Sequence, residues 1–283
     1  MYDTIEKLDQ STIQHGKSND RIYLMKLAKD DYPAILDKIE KLANKMQYSK
    51  IFAKIPKWAV SGFVEAGFTK EAHIPQFYNG EVDALFYGKF LSPKRAQLDA
   101  QQLSIIKNNI KLAREKQGKN AAKKLADSFD LRELGASDTT QLADLYRTVF
   151  ASYPFPIFEE AYLKKTMAEN IVYFGVFKGK RLIAASSAEM DVKSQNVEMT
   201  DFATHPDFTG NNLSVFLLQK MEEAMQQRGM KTLYTIARSL SPGMNITFAK
   251  LDYKFSGTLV NNTNIFGTIE SMNVWYKRVA IES

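Results

Sequence analysis

The sequence predicts an α/β protein built on a mixed, mostly antiparallel sheet flanked by helices. Three observations carry that prediction. The first is the stretch from Glu198 to Leu218, EMTDFATHPDFTGNNLSVFLL, which reads as a strand, a short polar loop with Pro206 and Gly210, and the apolar stripe of a helix. The second is a clean alternation of strand-like and helix-like segments from Phe129 onward. The third is a weaker echo of the end of that pattern in residues 50–91.

Taken in order, FDLRELGAS from Phe129 reads as a strand, and TTQLADLYRTVF as an amphipathic helix with Leu142, Leu145, Tyr146 and Val149 at helical spacing. YPFP, Tyr153 to Pro156, breaks that helix before FEEAYLKKTMAE starts another. IVYFGVF and RLIAASSAEM are apolar strands around a hairpin turn at Lys178-Gly179-Lys180. The Met199 strand and the Gly210 loop follow, then a helix with Leu213, Phe216, Leu217, Met221, Ala224 and Met225 on one face, ending at Gly229. TLYTIA from Thr232 is a buried strand, MNITFAKL a short helix, and YKFSGTL and ESMNVWYKRV two closing strands.

In the first half, DRIYLMKL reads as a strand and Ile35, Ile39, Leu42, Ala43 and Met46 as a helix face. From Lys50 the order is strand, helix, strand, loop, strand, with Phe63 aligning on Phe248, Gly67 on Asp252 and Phe68 on Tyr253. The chain therefore divides into a small unit at 1–91, a helical linker at 92–127 and the main domain at 128–283.

Composition narrows the function. There is no cysteine, hence no disulfide framework, no thiol nucleophile and no Cys-based metal site. His15, His73 and His205 lie far apart without ligand spacing, so no metal is expected. No apolar run approaches the ~18 residues of a membrane span, and no secretory signal is visible, so a cytoplasmic protein without membrane contact is expected. The net charge is +6, but the densest basic stretch, Lys107 to Lys124, has no aromatic residue for base stacking. It reads as a solvated helical linker, and no nucleic-acid partner is expected. Oligomeric state is not encoded in any recognisable feature.

A strand feeding a Gly/Asn loop that opens a helix makes backbone amides converge on a phosphate, at the positive end of the helix dipole. Here the chain resembles the GNAT acetyltransferases, whose acetyl-coenzyme A pyrophosphate sits on such a loop. Thr209, Asn212 and Ser214 fill the slots of the family's Arg/Gln-x-x-Gly-x-Gly/Ala pattern, a poor match, whereas the flanks FATHPDF and LSVFLLQKMEEAM agree. The resemblance covers roughly Phe129 to Val279 and makes the first unit a degenerate GNAT-like one. It implies acetyl-coenzyme A as cosubstrate, held by Phe202, Ala203, Thr204, Thr209, Gly210, Asn211, Asn212, Leu213 and Ser214. Asn245 matches the family's pantetheine-binding Asn, and Phe248 replaces the Tyr that protonates the thiolate, leaving Tyr234, Tyr253 or water as substitutes. Asn245 equally suits a helix cap.

Acetylating an amine requires a neutral nucleophile, and an ammonium of pKa ~10.4 is neutral only about once in 2,500 molecules at pH 7. The family's glutamate base is Thr200 here. Asp201 remains, and Glu198 lies two residues before Thr200, on the same face of an ideal strand unless a bulge re-aims it. For Asp201 the roles of base, amine anchor and structural acceptor stay open. Without cysteine, direct attack in a ternary complex is expected.

The tail is the most specific text. TIAR, GMN, NN-x-NI and ESMNVWYK resemble the β-lysine N-epsilon-acetyltransferases. That resemblance implies acetylation of the terminal amine of β-lysine, giving a neutral-zwitterion compatible solute, downstream of a lysine 2,3-aminomutase. It points to Arg238 as partner of the substrate carboxylate, and to Asp201 and Glu270 as anions for the amines, with Glu270 also a candidate base. Asn261, Asn262 and Asn264 are read in a loop before the last strand. A GNAT acting on another amine (a polyamine, an amino acid or a protein lysine) and an acetyl-coenzyme A sensor without turnover remain alternatives.

Overall fold

The computed structural model describes residues 2–119, 124–265 and 267–279. The N-terminal part comprises β1 (Thr4–Leu8), β2 (Ser11–Gly16), β3 (Arg21–Lys26), α1 (Ile35–Met46), β4 (Lys50–Pro56), α2 (Val60–Glu65), β5 (Thr69–Tyr78) and β6 (Val82–Phe90). Helices α3 (Pro93–Ala96) and α4 (Ala100–Glu115) follow. The remainder runs β7 (Phe129–Glu133), α5 (Thr139–Val149), α6 (Glu160–Glu169), β8 (Ile171–Lys178), β9 (Arg181–Asp191) and β10 (Asn196–Thr204). It closes with α7 (Leu213–Gln227), β11 (Thr232–Arg238), α8 (Pro242–Lys250), β12 (Lys254–Ile265) and β13 (Thr268–Arg278). No helix among the described residues is long and apolar enough to cross a membrane.

Two sheets result, ordered β1-β2-β3-β4-β6-β5 and β12-β13-β11-β10-β9-β8-β7. In each, one parallel pair, β3 with β4 or β10 with β11, sits between antiparallel neighbours. Reading β3 as β10 and β4 as β11, the strand orders coincide, with β7 as an extra edge of the second sheet. The echo extends to side chains. Phe63 and Phe68 meet edge-to-face at 5.0 Å, as do Phe248 and Tyr253, and between each pair stands a residue of positive φ, Gly67 at 82° and Asp252 at 67°.

Period-two burial explains the layering. Ile22, Leu24, Ile51, Ala53 and Ile55 face α1, whereas Tyr23 and Phe52 face the second sheet. There they meet Tyr234, Leu259, Met272 and Val274 of β11, β12 and β13, so the two sheets pack face to face with helices outside. Backbones approach closely at one point, where a Cβ on Gly257 would lie 2.0 Å from the Glu71 carbonyl oxygen. Only glycine fits there.

Three readings are corrected, and one element was not read at all: the β1–β2 hairpin, whose turn carries Asp9 at φ 55°. Phe216 is only half-buried, and Val215 and Leu218 share the buried face of α7 instead. Asn261, Asn262 and Asn264 lie inside β12, with Asn261 at φ 43° where the register with β13 shifts. The basic stretch is not simply solvated: α4 packs on α8, with Ile106, Asn109 and Ala113 buried and Asn109 Nδ2 donating to the Ser239 carbonyl at 2.9 Å. Residues 120–123 of that stretch lie outside the described residues.

Candidate active site

The parallel pairing of β10 with β11 stops at Glu198 opposite Tyr234, although both strands continue. Glu198 thus stands where the sheet splits. Two residues further, the register of β10 with β9 shifts between Thr200 and Ala203, and Asp201 takes a left-handed conformation at φ 54°. Ideal alternation would turn Asp201 away from Glu198; the bulge restores it to the same side. Asp is among the few side chains that adopt this region readily. Glu198, Thr200 and Asp201 consequently line one cavity, while Phe202 and Thr204 line a groove on the other face of the strand.

The cavity encloses about 150 Å³ between the two sheets and α6. Its acidic end gathers Glu189, Glu198 and Asp201 under Tyr153, Tyr162 and Tyr173. Asp201 accepts from Ser187 Oγ at 2.6 Å and from the Tyr153 hydroxyl, yet burial still raises its pKa above the usual carboxylate range. Burial, then the charge of Glu189 directly opposite on β9, pushes Glu198 up to about 7. Glu189 is raised by burial as well. Tyr234 donates to Glu198 and accepts from Lys54 Nζ at 3.1 Å, and burial holds its hydroxyl well above its ordinary pKa, so it stays a donor. Lys54 is the counter-charge here, its own pKa lowered by burial.

On the opposite face, the groove is lined by Phe202, Thr204, Thr209, Gly210, Asn212, Leu213 and Ser214, with α8 forming its other wall. Gly210 at φ 85° and Asn212 at φ 56° make the turn into α7. No side chain caps this helix, so its first N–H groups are left for another acceptor.

Several expected residues are occupied otherwise. Arg238 and Glu270 bind each other, Nε to Oε2 at 3.0 Å and Nη2 to Oε1 at 2.7 Å, and neither lines the cavity. A carboxylate engaged on both oxygens by a guanidinium is a poor base, and in this arrangement the pair ties β11 to β13. The Asn245 amide is fully committed. It donates to the carbonyls of Arg238 and Ser241 and accepts from Asn273 Nδ2 and Trp275 Nε1, both at 2.8 Å, leaving nothing for pantetheine. Phe248 is wholly buried against Phe202 and Tyr253, and Ala203 packs toward α5. Asn211 Nδ2 is turned back to the Phe208 carbonyl. Of the two tyrosines considered as acids, Tyr234 borders the cavity and Tyr253 borders neither space.

Residues 139–245 match the acetyltransferase (GNAT) family. A "Beta-lysine N(6)-acetyltransferase" of Methanococcus maripaludis is 39% identical over 96% of this chain and 98% of that protein. The chain belongs to the GNAT acetyltransferases, within the β-lysine N6-acetyltransferase family. A second protein of that name, from Methanosarcina mazei, is 30% identical over 86% of this chain and 96% of its own length. "N-acetyltransferase YodP" of Bacillus subtilis is 32% identical over 75% and 76%.

GNAT enzymes use acetyl-coenzyme A, and this chain's groove suits it. The uncapped, exposed start of α7 offers N–H donors to a pyrophosphate. Asn212 stands where the family pattern has Gly and adopts a left-handed backbone at φ 56°, so the altered motif still turns. Sequence reasoning missed Thr247 and Lys250 on the far wall. The signal was available: Met244, Thr247 and Lys250 recur at helical spacing, and Lys250 adds a cation for phosphate. It also missed Glu189, Lys54 and Tyr153, because their convergence depends on strand pairing and sheet docking rather than on local pattern.

Proposed function

We propose that this protein transfers the acetyl group of acetyl-coenzyme A to the N6 amine of β-lysine, giving N6-acetyl-β-lysine, a compatible solute, in the cytoplasm and downstream of a lysine 2,3-aminomutase. The observation that carries this reading is the 39% identity to the M. maripaludis enzyme over 96% of the chain, a span that includes the N-terminal sheet lining the cavity. The cavity agrees in charge, since its acidic end suits an ammonium. We also propose the division into a GNAT-like unit at 1–91, a linker at 92–127 and the catalytic domain at 128–283, supported by the repeated strand order.

Bound acetyl-coenzyme A supplies the thioester to be attacked. The loop Thr209–Ser214 and Lys250 hold its phosphates from the groove face of β10. On the cavity face, Asp201 and Glu189 attract the N6 ammonium, and Glu198 Oε takes its proton. With Glu198 at about 7 rather than 4.5, the gap to an amine of ~10.4 narrows from roughly six pK units to roughly three. The tyrosine walls limit water, which strengthens these electrostatic contacts. Thr200, in the family's base slot, has no proton-accepting role.

Purified protein with acetyl-coenzyme A should release thiol with β-lysine at least about tenfold faster than with lysine, spermidine or a lysine-containing peptide. Faster turnover of a polyamine or peptide would replace β-lysine as the substrate. Tight cofactor binding with no thiol release from any amine would favour a sensor.

A further inference from the structure

The cavity has a second polar end, built by the N-terminal sheet. Register pairs Gln14 with Tyr23 and Tyr23 with Phe52, so Gln14 and Tyr23 share one sheet face with Arg21, two residues before Tyr23. Gln14, Arg21 and Asn262 are 2%, 5% and 1% exposed, and all three line the cavity. Among the described residues, each keeps a buried polar atom without a partner: Gln14 Nε2, Arg21 Nε and Asn262 Oδ1. Arg21 Nη1 is anchored on the Asn262 carbonyl and on Thr263 Oγ1 at 3.2 Å, which fixes the guanidinium in place.

Among the described residues, no carboxylate lies within ion-pair distance of Arg21. The acids whose charge reaches it are engaged elsewhere, Asp3 with Asn19 Nδ2 at 2.6 Å and Glu71 with Lys50 at 2.9 Å. Burial lowers the Arg21 pKa to about 10, still leaving it charged at neutral pH. A buried guanidinium without a counter-ion is costly, as is each unpaired neighbour. Two donors and one acceptor beside an anion-deficient cation match the unreactive end of a β-amino acid. At the other end stand the carboxylates of Glu198 and Asp201. Burial raises the Tyr23 pKa; Glu198 raises it further and Arg21 lowers it, so this tyrosine stands between the two ends.

We propose that Arg21 and Gln14 bind the substrate carboxylate and that Asn262 Oδ1 accepts from the adjacent ammonium, so that the N-terminal sheet selects the substrate and presents its far amine to Glu198. The assignment rests on the β-lysine reading and goes beyond it. It gives the degenerate unit a specificity role and replaces Arg238 as the carboxylate partner. A diamine lacking the carboxylate leaves the Arg21 charge unmet and binds less well.

The test compares β-lysine with 1,4-diaminopentane, which is β-lysine without its carboxylate, at saturating acetyl-coenzyme A. The parent should prefer β-lysine about a hundredfold in kcat/KM. In Arg21→Gln that preference should fall to within about threefold, through loss of β-lysine turnover, with KM for acetyl-coenzyme A unchanged. Gln14→Leu should lose about tenfold for β-lysine and little for the diamine. Thermal unfolding serves as a second readout: β-lysine should raise the parent's Tm and not that of Arg21→Gln. Equal losses for both substrates in both variants would make these residues parts of the fold and overturn the assignment. An unchanged preference would overturn it too. In either case the parent's own turnover of β-lysine would leave the functional reading standing, whereas a parent inactive on β-lysine would remove both.

Discussion

Replacing Glu198 by Gln keeps the shape of the split between β10 and β11 and removes the carboxylate's charge. Two opposite effects follow from the same pKa. The folded carboxyl titrates near 7 against 4.5 when exposed, so the folded state binds the proton more tightly than the unfolded chain does. Stability therefore falls as pH rises through that window. An isolated shift of this size corresponds to about 3 kcal/mol, lost between pH 4.5 and 7. Glu198→Gln escapes that loss and should raise Tm at pH 8 while changing it little at pH 4. Activity moves the other way. In the parent, kcat/KM should climb about tenfold per pH unit below 7 and then level off, as the base loses its proton. In Glu198→Gln it should drop on the order of a hundredfold at pH 8 and keep rising toward the pKa of the amine itself, ~10.4. Thiol release followed from pH 5.5 to 9.5, beside thermal unfolding at both extremes, checks each limb. A variant with parental turnover and the same inflection near 7 would remove Glu198 from proton transfer.

Other consequences are independent of the base. Gly210→Pro cannot adopt φ 85° and should weaken acetyl-coenzyme A binding by at least about tenfold in calorimetry; parental affinity would mean the phosphates bind elsewhere. Arg238→Met leaves Glu270 buried without its partner and should destabilise the fold by about 3–5 kcal/mol in denaturant unfolding, with the ratio of β-lysine to diamine turnover unchanged. Gly257→Val forces β12 away from the Glu71 carbonyl and should cost about 1–3 kcal/mol, read as a lowered unfolding midpoint. An unchanged midpoint would mean the two sheets separate without penalty.

The strands and helices around the cofactor groove were legible because their signals are local. Alternation marks β8 and β9, helical spacing marks α5 and α7, and Gly210 marks the turn. The internal echo was legible for the same reason, since Phe63, Gly67 and Phe68 repeat the spacing of Phe248, Asp252 and Tyr253. Side-chain partnerships were less so. Arg238 and Glu270 are 32 residues apart and become neighbours only when β11 and β13 pair. Asn245 looks like a cap in sequence, yet it bridges α8 to Asn273 and Trp275 across the core. The bulge at Asp201 leaves no trace in composition, because Asp in a strand is also what a solvated edge would show. The second wall of the cavity was hidden most completely, since it needs two sheets to dock face to face. Arg21 shows in sequence only as part of the strand DRIYLMKL, and Gln14 lies in a hairpin that was not read at all; the docking of the sheets is what buries both.

The most direct measurement is the structure of the product made from acetyl-coenzyme A and β-lysine, read by the NMR correlation between the acetyl carbonyl and the methylene that bears the acylated nitrogen. With the carboxylate and its neighbouring amine held by the N-terminal sheet and the far amine delivered to Glu198, the acetyl group should appear on N6 alone. Acetylation at N3, a mixture of both, or no acetylated β-lysine at all would contradict that orientation and the function built on it.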